Sequence, residues 1–329
     1  MTMRYRFLAA AMALLLLFGL FPAAAAEKPE EAQMLEQVRQ SVVHLYAIGT
    51  SERTHLRSRW TGTGFAVGIA GAESDIFLTN WHVATGSGGF DAEEVKLWLL
   101  LDDAEFDENQ EPLPGSAIAC QVLATTTGFP DVAVIRAMEP AHRRALPLLS
   151  SRRVIDRTPV YALGFPGLKD TRYGADSGPE DVDITEGVID RRLTMTSAGD
   201  TRCLIHSAAI RHGNSGGPLV NRQGAVVGLN TYGFEEAVTT ELFCSVYIDY
   251  GMKMLEELDI PYTTADGPSP ITALVANILK QPHIHPLQAY ALFALGLAGI
   301  GAILLYFLKS LLAAAAGIRA RFAARRKSD

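Results

Sequence analysis

Arg211-His212-Gly213-Asn214-Ser215-Gly216-Gly217-Pro218-Leu219 sets one serine between a glycine and a Gly-Gly-Pro run. Glycine reaches backbone dihedrals that other residues avoid and admits a second chain close to the main chain. In such a turn the peptide N–H groups of Gly213 and Ser215 converge on one spot. Two convergent donors beside a hydroxyl suit acyl transfer, because they hold the oxyanion formed when serine Oγ attacks a carbonyl. The other reading is a tight turn with an incidental serine, and residues elsewhere in the chain decide between the two.

A serine hydroxyl is a weak nucleophile until a neighbouring base takes its proton. Of the eight histidines, His82 has the most suggestive setting. Phe77-Leu78-Thr79-Asn80-Trp81-His82-Val83 runs from apolar to polar and reads as a strand end delivering His82 to a cleft. Gly62-Thr63-Gly64-Phe65-Ala66-Val67 reads as a glycine-broken strand that pairs with it. A carboxylate is then needed to fix the imidazole tautomer. Asp131 opens the buried-strand pattern Asp131-Val132-Ala133-Val134-Ile135 and is preferred. Asp102 and Asp103 begin the acidic run to Glu108, which reads as a solvated loop.

The order His82, Asp131, Ser215, carried by Thr61-Gly62-Thr63-Gly64-Phe65, Thr79-Asn80-Trp81-His82-Val83, Asp131-Val132-Ala133-Val134 and Gly213 to Leu219, resembles the trypsin-like serine proteases. Within them it is most similar to the HtrA/Deg branch, which Leu163-Gly164-Phe165-Pro166-Gly167 and Thr185-Glu186-Gly187-Val188-Ile189 also fit. The resemblance spans roughly residues 34–262. It implies an all-β fold of two six-stranded antiparallel β-barrels with the cleft between them, barrel one over about 40–140 and barrel two over about 155–262. It also implies His82, Asp131 and Ser215 as the catalytic residues, with an oxyanion hole at Gly213, Asn214 and Ser215 whose donors are the N–H groups of Gly213 and Ser215. It further implies a polypeptide substrate and no cofactor or metal.

The same likeness places a substrate pocket between Ala208, Ala209 and Ile210 on one side and Leu229, Asn230 and Thr231 on the other. Ala209 falls at the pocket base, where a buried Arg or Lys would find no partner. Small or medium aliphatic residues are therefore expected before the scissile bond, with the backbone of Leu229 to Tyr232 pairing with substrate as an added strand. Asn214 is neutral and cannot form the ion pair with a newly cut N-terminus that zymogens of this fold use. Arg211-His212 departs from the Asn-Pro usual in the branch, and His212 is read as a surface residue. The loop Lys169 to Asp183 has few apolar anchors, so it is expected to be mobile and is a candidate for regulation.

The 329 residues, 48% of them hydrophobic, suffice for one large or two small domains. A net charge of −7 and no central basic patch argue against nucleic acid as a partner. Residues 1–26 carry Arg4 and Arg6, an apolar run from Phe7 to Phe21 and small residues to Ala26, the pattern of a secretory signal peptide, with an uncleaved anchor helix as the alternative. Thr263 to Pro286 reads as a linker, Leu287 to Leu308 as a membrane-spanning run without charge, and 309–329 as a basic cytoplasmic tail. That orientation puts the protease domain on the periplasmic, extracytoplasmic side of a single-pass membrane protein. The tail stands where the branch commonly carries a PDZ module, so a tethered form without that module is expected.

Between these ends, Glu30 to Tyr46 reads as a helix broken at Ser41 before a strand that includes His44. Ser51 to Arg59 reads as an exposed loop, one that in this branch often reaches a neighbouring subunit and leaves homo-oligomerisation open. Residues Glu139 to Arg153, with four arginines, read as a solvated linker between barrels. The three cysteines show no metal spacing. The resemblance sets Cys203 and Cys244 on adjacent strands, which leaves either a disulfide or three core cysteines. Together these readings describe a membrane-anchored exported serine endopeptidase, or else a catalytically silent protease fold kept as a membrane-tethered peptide sensor.

Overall fold

The computed structural model describes residues 29–51, 56–86, 92, 94–165, 177–233 and 242–265. The chain divides into two compact units, residues 1–267 and 268–329, and every described residue belongs to the first. The signal-peptide segment, the Leu287–Leu308 run and the basic tail lie outside the described residues. Among the described residues no helix is long and apolar enough to cross a membrane.

Helix α1 (Pro29–Arg39) leads into β1 (Val42–Thr50), β2 (Arg57–Ala66), a short β3 (Glu73–Ser74) and β4 (Ile76–Thr79). Helix α2 (Trp81–Thr85), β5 (Glu94–Leu100), β6 (Ala117–Thr125), β7 (Ala133–Ala137) and the short β8 (Arg143–Arg144) follow. The second half holds β9 (Pro159–Gly164), β10 (Asp183–Met195), β11 (Thr201–His206), β12 (Pro218–Asn221), β13 (Val226–Gly233), β14 (Phe243–Tyr247) and α3 (Ile248–Glu257). Two closed barrels result, in the orders β1-β2-β4-β7-β6-β5 and β10-β11-β14-β13-β12-β9. Each has six strands and only antiparallel neighbours.

Strand β1 shows how sequence dictates this closure. Alternate residues of a strand face opposite sides. Val43, Leu45 and Ala47 enter a cluster with Phe77, Leu99, Ile118 and Ile135, and Tyr46 and Ile48 face Leu100 and Ala104. Barrel two repeats the pattern with Val160, Ala162, Ile189, Leu204 and Val227. The largest cluster belongs to neither barrel alone. It joins Phe65, Leu78 and Val134 of the first to Leu163, Ile205 and Val246 of the second, with Ile248, Met254 and Leu255 of α3. A continuous apolar seam therefore joins the two barrels.

The arginine-rich connection is more structured than its charge suggests. Arg143 and Arg144 form β8, paired with Ser74 and Glu73 of β3. Ser151 is buried, donating Oγ–H to Val227 O and accepting the N–H of Ile248. Asp249 receives Ser150 Oγ at 2.7 Å and Ser151 N at 2.8 Å. These bonds tie the connection to β13 and α3. Charge composition could not reveal this, because the anchoring residues are serines.

None of the three cysteines forms a disulfide. Cys203 stands opposite Val246 and Cys244 opposite Ile205, so the pair is diagonal across β11 and β14. Diagonal neighbours sit about 7–8 Å apart, beyond ordinary disulfide reach. Cys203 Sγ instead lies 3.4 Å from Met195 Sδ.

Two histidines are sealed inside. His44 Nδ1 meets Ser177 Oγ at 2.9 Å and its ring stacks on Phe165 with centroids 4.6 Å apart. His206 Nε2 meets Ser245 Oγ at 2.9 Å. Burial penalises the imidazolium and pushes His44 down to about 3 and His206 down to about 4, the latter against a weak upward pull from the Ala208 backbone. The unfolded chain protonates these rings near pH 6.5, whereas the folded chain does so only near 3 and 4. Between those limits the unfolded state binds more protons, so stability rises with pH and is complete above about 6.5. The thermal midpoint should therefore fall as pH drops from 7 to about 4, each ring contributing on the order of 3 kcal/mol at most. A shallower decline in His206→Gln, followed by circular dichroism, checks the assignment, and an unchanged slope contradicts it.

Candidate active site

The extended run of β4 stops at Thr79, and His82 lies in the first turn of α2 rather than on a strand end. Asn80, extended at φ −77 and ψ 151, makes the transition. Its side chain explains the stop: Nδ2 donates to Asp131 O at 2.8 Å and to Thr231 Oγ1 at 3.1 Å. One buried amide thus joins the elements that carry His82, Asp131 and the Ser215 environment. Gly86, at φ 71, closes the helix by donating its N–H to His82 O.

Asp131 leaves a turn in which its N–H bonds Gly128 O, and its own φ is 61. Its carboxylate receives three contacts from His82: the backbone N–H on Oδ1 at 3.0 Å, and Nδ1 at 3.1 Å from Oδ1 and 2.9 Å from Oδ2. A carboxylate only accepts, so Nδ1 carries the proton and Nε2 of the neutral ring is left as an acceptor. Asp102 lies elsewhere, 3.7 Å from Arg143 and 58% exposed.

Ser215 sits on a turn whose peptides are held one by one. Asn214 N donates to Arg211 O at 3.0 Å, Gly217 N to Asn214 O at 3.0 Å and Gly216 N to Asn230 O at 2.8 Å. Ser215 O accepts Thr63 N at 2.8 Å, and Gly213 O accepts Thr63 Oγ1 at 2.7 Å. The Gly-Gly pair is sterically required. A Cβ on Gly216, at φ 85, would lie 2.2 Å from Thr63 O and 2.3 Å from Thr79 Oγ1, and one on Gly217 would lie 2.1 Å from Leu163 O. Helix α2 meets the turn at Gly62, where an added Cβ would strike Val83 Cγ1 at 2.6 Å and approach Ser215 O at 3.2 Å.

The N–H groups of Gly213 and Ser215 have no acceptor among the described residues, whereas that of Asn214 is spent on Arg211 O. Of the three residues expected at the oxyanion hole, Asn214 is therefore not a main-chain donor. Its side chain is buried, with neither Nδ2 nor Oδ1 bonded. The serine hydroxyl donates to Thr231 O at 3.1 Å, and among the described residues no hydrogen bond joins it to His82.

The expected pocket walls separate into accessible and interior residues. Ala208, Leu229 and Asn230 are sealed in the core, so their side chains cannot line a pocket; Ala209 and Ile210 are half-buried. The carbonyl of Ala209 accepts Thr185 Oγ1 at 2.7 Å. Strand addition is also narrower than expected. Leu229 pairs with Pro218 and Val246, and Asn230 exchanges backbone bonds with Gly216 and Gly217, so neither has a free edge. His212 is exposed, and Arg211 lies 3.9 Å from Asp183. Residues 169–176 of the expected regulatory loop lie outside the described residues.

Sequence reasoning missed the roles of Thr63 and Asn80, and of the chain His206–Ser245–Asn230. Asn230 Oδ1 accepts Ser245 Oγ at 2.9 Å and Nδ2 donates to Leu163 O and Pro218 O. The available signal was a polar residue at an otherwise buried strand position. Gly216→Ala should cost at least about 3 kcal/mol in urea unfolding, since backbone rather than a flexible side chain blocks the new methyl. A loss under about 1 kcal/mol would contradict this packing.

A trypsin-like peptidase domain model matches residues 62–229. Serine protease HTRA4 of Mus musculus is 28% identical over 240 residues, 68% of this chain and 42% of that protein. Serine endoprotease DegS of Escherichia coli (strain K12) is 27% identical over 202 residues, 60% of this chain and 47% of that protein. Putative serine protease HhoB of Synechocystis sp. is 32% identical over 177 residues, 53% of this chain and 35% of that protein. The chain spans less than half the length of these relatives.

Proposed function

The chain belongs to the trypsin-like peptidase family, in its HtrA/Deg branch, and from that premise we propose that it is a membrane-anchored, exported serine endopeptidase. The reading rests above all on the His82 ring, held through Nδ1 by Asp131 at 2.9 Å, beside a serine turn whose Gly213 and Ser215 N–H groups have no acceptor among the described residues. In the proposed reaction, rotation of Ser215 Oγ away from Thr231 O brings it to His82 Nε2. His82 takes the hydroxyl proton as Oγ attacks the scissile carbonyl, and Asp131 stabilises the imidazolium. The N–H groups of Gly213 and Ser215 hold the oxyanion. The imidazolium then protonates the leaving amine, and water, deprotonated by His82, releases the acyl group. Seating of catalytic contacts on substrate binding is common, so the resting Ser215–Thr231 bond is compatible with this chemistry.

The half-buried Ala209 supports preference for small or medium aliphatic residues before the cut, because no carboxylate stands there to meet a cation. The charge-free run Leu287 to Leu308 followed by basic residues supports a single span with the peptidase outside the cytoplasm. One observation favours the second reading, a silent peptide-binding sensor: Ser215 Oγ bonds Thr231 O and not His82.

The full-length protein in membranes, beside Ser215→Ala, decides between them. A fluorophosphonate probe should label the first and not the second, and casein should be cut only by the first. Absence of labelling in the unaltered protein favours the sensor. His82→Ala should lower the cleavage rate by at least about a thousandfold. Sequencing the cut ends should show Ala or Val before the bond more often than Lys or Arg, and the reverse order would overturn the pocket assignment.

A further inference from the structure

We infer that Thr63, on strand β2 of the first barrel, is a positioning residue that sets the peptide geometry of the oxyanion-holding turn in the second. The inference rests on the peptidase reading above.

The Thr63 hydroxyl is buried and has its roles assigned by its neighbours. Phe165 N can only donate, and it does so to Oγ1 at 2.9 Å. The single hydroxyl proton then goes to Gly213 O at 2.7 Å. Thr63 N reaches the same turn from its other side, donating to Ser215 O at 2.8 Å, while Thr63 O is held by Thr79 Oγ1 at 2.7 Å. The residue therefore grips peptides on both sides of the nucleophile.

Peptide planarity converts this grip into direction. In a trans peptide the C=O and N–H point opposite ways. Fixing Gly213 O on Thr63 sends the Asn214 N–H away from it, onto Arg211 O, so the Gly213–Asn214 peptide is clamped at both ends. The Asn214–Ser215 peptide is set likewise by Gly217 N on Asn214 O, which directs the Ser215 N–H. The His212–Gly213 peptide is the exception. Neither its C=O nor its N–H is bonded among the described residues, and it carries the other proposed oxyanion donor. Its direction depends on the Gly213 dihedrals, with φ at 97, measured from the clamped peptide that follows. Removing the Thr63 hydroxyl leaves that plane held at one end only, by the Asn214 N–H on Arg211 O, so it can tilt and misdirect the Gly213 N–H.

The test compares Thr63→Val, which keeps the shape and loses the hydroxyl, with Thr63→Ser, which keeps the hydroxyl. Steady-state cleavage of a peptide substrate is measured on the full-length protein, per site titrated to completion with fluorophosphonate. Misdirection of one oxyanion donor should lower kcat per titrated site at least tenfold in the valine variant, with KM within about twofold. The serine variant should return within about threefold of the unaltered protein. A purely structural role would instead reduce the titrated fraction and the melting temperature while leaving kcat per site unchanged, and that result overturns the inference. Where Thr63→Val is not recovered folded, Thr63→Cys takes its place: the weaker thiol donor should lower kcat per site at least threefold, and an unchanged value again overturns the inference. An inactive, unlabelled parent protein would instead mark failure of the peptidase reading.

Discussion

A single hydroxyl proton, that of Thr63 on Gly213 O, lies where the two barrels and the serine turn come together. Around it the first barrel supplies Thr63 and Thr79, and the second supplies Phe165, Gly213 and Ser215. The bonds from Thr63 to Phe165, Gly213 and Ser215 cross from one barrel to the other, so the turn has its observed shape only when both barrels are closed and seated. The apolar seam formed by Phe65, Leu78, Leu163 and Val246 supplies that seating. Dispersion and burial bring the barrels together without direction. The buried hydroxyls then fix register and angle, because leaving any of these polar groups unpaired costs about 1–3 kcal/mol.

The same division of labour governs the neighbouring polar groups. Asn80 bridges Asp131 and Thr231, and Asn230 bridges the ends of β9 and β12 with Ser245 behind it. His206 completes that second chain as a neutral ring. A protonated His206 would bring charge into the interior, and burial wins over the modest help offered by the Ala208 backbone. Buried polar networks of this kind add specificity when satisfied and become liabilities when broken. Among the described residues the network leaves unbonded both amide atoms of Asn214 on the serine turn, and Oδ1 of Asn80.

Specific residues show how far sequence reading carried. The Gly-Asn-Ser-Gly-Gly-Pro turn was legible because two glycines in succession mark close backbone approach, and Thr63 O and Leu163 O are what approach. Strand β1 was legible as a near-continuous apolar run, and the structure buries both of its faces. The helix at His82 was not, because five residues are too few for a helical period to show and the side-chain bonds of Asn80 decide the turn. Pocket walls were legible as segments but not as faces. A residue's distance from the serine in the chain does not say whether its side chain enters the core, as those of Ala208, Leu229 and Asn230 do.

What the sequence determined by itself is therefore chemical inventory and local shape: a serine on a glycine turn, a histidine and an aspartate beside apolar runs, and apolar stretches suited to strands, with the two-barrel architecture coming from the family resemblance. The local shape follows from short-range rules of sterics and periodicity. Tertiary structure alone decided which N–H groups of the turn find no acceptor among the described residues, that Asn214 spends its own on Arg211, and that the serine hydroxyl rests on Thr231. It also decided that Cys203 and Cys244 sit diagonally. Many of these partners are separated in the chain, by 16 positions for Ser215 and Thr231 and by 150 for Thr63 and Gly213, and the folded barrels bring them within reach.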